Sequence, residues 1–145
     1  MNLDLSFTNL LKGQYMNVNT HMKISPKIVG EVVEISEGKA TATLKTSPEM
    51  ASDEQSLVHG GFTFGLADYA AMLAVNDPFV VLGAADVKFL APTRVGESLT
   101  AKAQVLESQG KKRQVHCSVY SEDAGKEVFS GIFTCFVLEK HVLES

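Results

Sequence analysis

The sequence predicts an α+β domain in which a largely antiparallel sheet packs against one long central helix. Three observations carry that expectation. From Leu99 to Val105 the chain alternates, Leu99, Ala101, Ala103 and Val105 against Thr100, Lys102 and Gln104, the pattern of a sheet with one buried face. From Gly60 to Val75 it is apolar on nearly every side of a helical period, interrupted by a single carboxylate, Asp68. Beyond that helix each remaining apolar run is β-rich and joined to the next by a short turn, which favours antiparallel neighbours.

Taken in order, residues 1–24 read as an amino-terminal arm. Leu3, Phe7, Leu10 and Leu11 follow helical spacing, so a short helix packed on the domain is expected, with a partly ordered terminus as the alternative. The domain itself occupies residues 25–145. Its first two β-rich runs, KIVGEVVEI from Lys27 and KATATLKT from Lys39, are separated by Ser36, Glu37 and Gly38 and form a hairpin. A polar connection then leads into the helix. Four more strands are expected at Phe79–Leu90, Glu97–Glu107, Lys112–Ser121 and Lys126–Leu138, with turn signals in APTRVGE, SQGKK and EDAGKE.

Composition narrows the function classes. At 145 residues, 45% hydrophobic and 21% charged, the chain has the size and balance of one folded domain. A formal net charge of -4 supplies no basic face for duplex nucleic acid, so DNA and RNA are not expected as direct ligands. The amino-terminal stretch lacks the basic region of a signal peptide, and no apolar run reaches the roughly 18 residues of a membrane span. A cytoplasmic protein without membrane association is expected. Cys117 and Cys135 stand in separate strand-like runs without CxxC spacing and read as reduced core thiols. His21, His116 and His141 share no ligand spacing, so no metal is implied, and no GxSxG segment supports a serine hydrolase.

Asp68 poses the chemical question. Three and four positions away stand Phe64, Gly65, Ala71 and Met72, so its own helix offers no cation. An ionised carboxylate in apolar surroundings costs on the order of several kcal/mol unless it is paired or hydrogen-bonded. Two readings stay open at this point. One is a structural acid bound to a backbone amide or to a polar partner across an interface; the other is a base or nucleophile facing a pocket, made more reactive by partial desolvation. Gly60 and Gly61 stand at the helix start, where free N–H groups and the helix dipole favour an oxyanion. A helix this apolar also needs cover beyond its own sheet, and a second copy of the chain is the expected cover.

The segment LVHGGFTFGLADYAAMLA resembles the signature of hot-dog-fold acyl-CoA thioesterases of the PaaI-like, phenylacetate-pathway type. AADVKFLAPTRVGESLTAKAQV and GKKRQVHCSVYSEDAGKEVFSGIFTCFVL continue the resemblance, which covers roughly residues 25 to 138. It implies a curved antiparallel sheet wrapped around one long helix and a thioester bound between the protomers of a homodimer; a homodimer or a dimer of dimers is expected. In that picture the Gly60 or Gly61 amide polarises the thioester carbonyl. Asp68 from the partner chain attacks or activates water, releasing coenzyme A and a carboxylic acid; coenzyme A enters as part of the substrate and no further cofactor is implied. Where the family often has Asn six residues before the HGG histidine, this chain has Asp53, which is either a second acid at the site or part of a solvated loop. In the resembling pattern His59 more often shapes the turn than transfers protons.

Coenzyme A carries phosphates, and the densest cations available are Lys111, Lys112 and Arg113, joined by Arg94 of the APTRVGE turn. Their alternative is a solvated hairpin tip. The stretch ADVKFLAPTRVGE also resembles the acyl-CoA-sensing domain of bacterial fatty-acid regulators, so a non-catalytic acyl-CoA binder acting through a protein partner is the second reading. A dehydratase of the same fold would require a catalytic His paired with a carboxylate, which His59 does not supply convincingly.

Overall fold

The structure, a computed structural model, describes residues 16–144. Its elements run α1 (Pro26–Val29), β1 (Glu31–Ser36), β2 (Lys39–Lys45), a 3-10 turn (Pro48–Met50), α2 (Gly60–Val75), β3 (Val80–Phe89), β4 (Ser98–Gln109), β5 (Lys112–Ser121), β6 (Lys126–Val137) and a last 3-10 turn (Val142–Glu144). All six strands join one sheet in the order β1-β2-β4-β5-β6-β3, and every neighbouring pair is antiparallel. With α2 packed on one face, this is the hot-dog arrangement that the resemblance implies.

The alternation seen in the sequence is the register of the core. Leu99, Ala101 and Ala103 of β4 stand opposite Leu44, Ala42 and Ala40 of β2, and all six side chains are buried. Alanines at four of these places leave room for α2, which lies mainly over β2, β4 and β5 and buries Leu66, Ala67, Ala70, Leu73 and Ala74. Burying each large apolar side chain here stabilises the fold by about 1.5–3 kcal/mol. Asn76 ends the helix in the left-handed conformation at φ 54, its N–H donating to the Met72 carbonyl at 2.8 Å.

The first β-rich run starts later than expected. Pro26 to Val29 form one helical turn instead of a strand, with Pro26 at a place where its missing N–H costs nothing. Gly30, at φ 108, then turns the chain into β1. This turn is the short amino-terminal helix of the fold; the helix expected around Leu3 to Leu11 lies outside the described residues. Asn17 and Asn19 are tied to the end of α2 by Asn76, whose Oδ1 accepts from Asn19 N–H and whose Nδ2 donates to the Asn17 carbonyl, both at 2.8 Å. No helix among the described residues is long and apolar enough to cross a membrane.

Candidate functional site

At the start of α2, His59 is held through its backbone. Its N–H donates to the Met50 carbonyl at 2.9 Å, its own carbonyl accepts from Phe62 N–H at 3.1 Å, and its exposed ring meets Phe62 edge-on. A Cβ on Gly61 would come within 2.9 Å of that ring, so the glycine lets the histidine fold over the turn. These contacts fit a turn-shaping role. The N–H groups of Gly60 and Gly61 have no intrahelical acceptor, and neither donates to a loop of the described chain. Gly60 opens on a hollow of about 390 Å³ that it lines with Thr63, Phe89, Leu90, Pro92 and Thr93.

Asp68 lies eight residues further on, roughly 12 Å along the axis at the helical rise. Gly61, Phe64, Asp68 and Val75 share the side of α2 that its own sheet leaves incompletely covered. Phe64 on this side packs its ring 5.5 Å from that of Phe133 and 6.3 Å from that of Phe129, placing the stripe beside the β6–β3 wing. Oδ1 of Asp68 is buried and accepts no hydrogen bond, the one such side-chain atom among the described residues. Burial pushes this carboxyl up to about 6. Cys117 and Cys135, on the inner face of β5 and β6, are pushed up to about 12 by burial and then by the Asp68 charge. At neutral pH both are inert thiols.

Asp53 belongs to the loop before α2, and its exposed carboxylate serves that loop. Oδ1 accepts from Gln55 N–H at 2.9 Å and from Leu57 N–H at 3.2 Å. With Arg94, Glu97 and Lys126 it lines a second hollow, about 470 Å³, which shares Pro92 with the Gly60 hollow. Glu97 is also engaged, accepting from Arg94 N–H at 2.6 Å and from the Ser121 hydroxyl. The charged ends of Arg94 and Lys126 have no partner among the described residues. Lys126 is the site-lining cation that the sequence did not single out, because only the folded turns bring it beside Arg94.

Lys111, Lys112 and Arg113 lie elsewhere. Lys111 lies in the β4–β5 turn and Lys112 and Arg113 open β5, whereas the Gly60 end of the sheet is marked on β5 by Val119, opposite Phe129. Phe129 in turn packs on Phe89, whose ring lies against Gly60. Seven residues of strand separate Lys112 from Val119, about 23 Å. Within one chain, then, Arg94 stands near the helix start and the other three cations do not. Arg113 folds back on its own turn, donating from Nη1 to the carbonyls of Gly110 at 2.6 Å and Lys112 at 3.0 Å. Among the described residues no cluster of His, Cys, Asp and Glu is placed to hold a metal.

The sequence model of the thioesterase superfamily matches residues 55–128, just over half of the chain. The chain belongs to the thioesterase superfamily. The crystal structure of an uncharacterized protein from Pyrococcus horikoshii superposes with a TM-score of 0.85 at 54% identity, covering 88% of this chain and 97% of that one. The PaaI protein of the phenylacetic acid degradation operon of E. coli superposes with a TM-score of 0.71 at 27% identity, covering 79% and 83%.

Among sequence relatives, a methylthioribose-1-phosphate isomerase of Aquifex aeolicus is 45% identical over 125 residues, 86% of this thioesterase-superfamily chain and 27% of that protein. The transcription factor FapR of Caldanaerobacter subterraneus is 28% identical over 137 residues, 94% of this chain and 66% of that protein. The acyl-coenzyme A thioesterase PaaI of Escherichia coli is 38% identical over 88 residues, 59% and 61% of the two chains. The match thus spans about a quarter of the isomerase and somewhat under two thirds of the other two proteins.

Proposed function

We propose that this superfamily member is an acyl-CoA thioesterase whose site is completed by a second copy of the chain. The observation that carries the reading is the buried Oδ1 of Asp68, unpaired among the described residues, on the open side of an apolar helix. A partly desolvated carboxylate without a partner is a stronger base than one in water, and the free N–H groups of Gly60 and Gly61 suit a developing oxyanion. On one helix these parts stand roughly 12 Å apart, too far to act on the same carbonyl, which calls for Asp68 of one copy and the glycine turn of another.

In that arrangement the amide of Gly60 or Gly61 polarises the thioester carbonyl. In one route Asp68 removes a proton from a water that adds to the carbonyl, the C–S bond breaks, and that proton leaves with the coenzyme A thiol; in the other Asp68 attacks the carbonyl itself, the C–S bond breaks to release the coenzyme A thiolate, and water then hydrolyses the mixed anhydride to the free acid and restores the carboxylate. The edge of β3, exposed from Gly83 to Asp86, is a free sheet edge through which two copies would meet. Arg94, joined by Lys126, is best placed for the phosphates of coenzyme A; Lys111, Lys112 and Arg113 would serve only from across a subunit boundary. Asp53 contributes by holding its loop against the Arg94 turn. The FapR match, which spans nearly the whole chain, favours a second reading, an acyl-CoA binder that signals through a protein partner.

Release of free thiol from a panel of short, long and aromatic acyl-CoAs separates the two. The wild type is expected to hydrolyse at least one, and Asp68→Asn to lose most of that activity while staying folded. Saturable binding with no turnover of any ester would favour the binder, and full activity in the variant would take Asp68 out of the mechanism.

A further inference from the structure

The turn that presents Arg94 is anchored from two sides. Glu97 N–H donates to the Arg94 carbonyl at 3.1 Å, closing four residues around Gly96, whose φ of 100 suits the third place of such a turn. On one side stands buried Thr46, just past the end of β2. Its N–H and its hydroxyl donate to the Glu97 carbonyl at 3.1 and 2.8 Å, and its Oγ1 accepts from Gly96 N–H at 2.9 Å. On the other side the Glu97 carboxylate takes two donors from two different elements. Oε2 accepts from Arg94 N–H at 2.6 Å, and Oε1 accepts from the hydroxyl of Ser121, which is buried. Ser121 ends β5, holds the following turn by accepting from Ala124 N–H at 3.1 Å, and pairs in register with Lys126 at the start of β6. One side chain thus ties the turn that carries Arg94 to the hairpin that carries Lys126.

We propose that Glu97 is a positioning residue whose carboxylate sets the spacing of Arg94 and Lys126, so that both cations reach one phosphate of coenzyme A. The inference rests on reading their shared hollow as the phosphate site, and it gives a role to an acid at that site. Two cations act together on a phosphate most effectively when their spacing is fixed beforehand, because otherwise binding must also order them. The same carboxylate carries a charge of the wrong sign for a phosphate, and that opposition makes its role measurable. By Coulomb's law alone, removing a negative charge about 7 Å from a phosphate tightens binding by about threefold per phosphate charge even at the dielectric of water. Loss of the bridge between the two turns acts in the opposite direction.

The test measures calorimetric affinity of the full chain for free coenzyme A at low ionic strength. Glu97→Gln keeps the shape but leaves one acceptor oxygen for two donors, and Ser121→Ala removes one donor while keeping the charge. Both variants are expected to bind about fivefold more weakly at unchanged stoichiometry, since a misfolded fraction lowers the number of sites and not their affinity. A loss under twofold in either variant, or tighter binding by Glu97→Gln, overturns the inference. The reading beneath it fails in a different way: if Arg94→Gln combined with Lys126→Gln binds as tightly as the wild type, or the wild type does not bind coenzyme A, the hollow is not the phosphate site and the inference falls with it.

Discussion

The ring of Phe89 lies so close to Gly60 that a Cβ on the glycine would stand 3.0 Å from its Cε1 and 3.4 Å from its Cδ1. Phe89 is 57% exposed and its ring has room to give way. Replacing a helical glycine by alanine changes intrinsic stability by about 1 kcal/mol in favour of the variant, which offsets the cost of moving the ring. Gly60→Ala should therefore unfold within about 1 kcal/mol of the wild type in urea. Its methyl group, however, enters the hollow beside the free N–H groups, and thiol release should fall by about tenfold or more. Undiminished turnover in a folded variant would separate Gly60 from the carbonyl site.

Gly30 makes the opposite case. At φ 108, with a Cβ that would stand 2.7 Å from the Thr43 carbonyl oxygen and 2.8 Å from Leu66 Cδ1, it has neither the conformation nor the space for a side chain. Strain at such a φ and overpacking each cost about 1–3 kcal/mol. Gly30→Ala should lower unfolding stability by about 3 kcal/mol in urea titrations, and a loss below about 1 kcal/mol would show that the α1–β1 junction yields easily.

Asp68 ties stability to pH with a definite sign. Its folded value of about 6 lies above the ordinary 3.8, so between those two values the native state holds more protons than the unfolded chain. Stability contributed by this group therefore falls as pH rises through that window, by an amount on the order of 1–3 kcal/mol. Asp68→Asn removes this dependence, so the stability difference between variant and wild type should grow in the variant's favour from pH 4 to pH 7. Wild-type turnover, needing the ionised form, should rise through about pH 6. A variant that unfolds with an unchanged pH dependence would contradict the burial of this acid.

Much of this was legible where local pattern and tertiary demand coincide. The alternation from Leu99 to Val105 became the β2–β4–β5 register because a period of two is what a half-buried strand shows on either side. β5 occupies Lys112–Ser121, the span its turn signals bracket. The run from Lys27 misled because Pro26 and Gly30 close a helical turn against β2, overriding the β preference of Ile28 and Val29. At the site, the lack of a cation for Asp68 on its own helix could be read from spacing. The lack of any hydrogen bond to its buried Oδ1 could not, because that depends on strands far away in the chain. Nor does chain order disclose sheet order: the basic turn at Lys111 and the Arg94 turn are close in sequence but lie toward opposite ends of the strands. The local use of Asp53, accepting from N–H groups two and four residues on, follows the ordinary turn chemistry of Asp and was available from sequence.

That separation of the cations yields a prediction about coenzyme A itself. Arg94 and Lys126 line one hollow contiguous with the glycine turn, and the two acids beside them already accept hydrogen bonds. A phosphate there would meet two cations that have no partner among the described residues. Arg94→Gln combined with Lys126→Gln should weaken calorimetric affinity for free coenzyme A by about tenfold at low ionic strength, with the difference shrinking as salt screens the charges. Arg113→Gln should instead lower stability by about 1 kcal/mol through loss of its bonds to Gly110 and Lys112, leaving affinity nearly unchanged. The reverse pattern, with affinity lost on neutralising Lys111, Lys112 and Arg113 and kept without Arg94 and Lys126, would assign the phosphates to the β4–β5 turn of a neighbouring subunit.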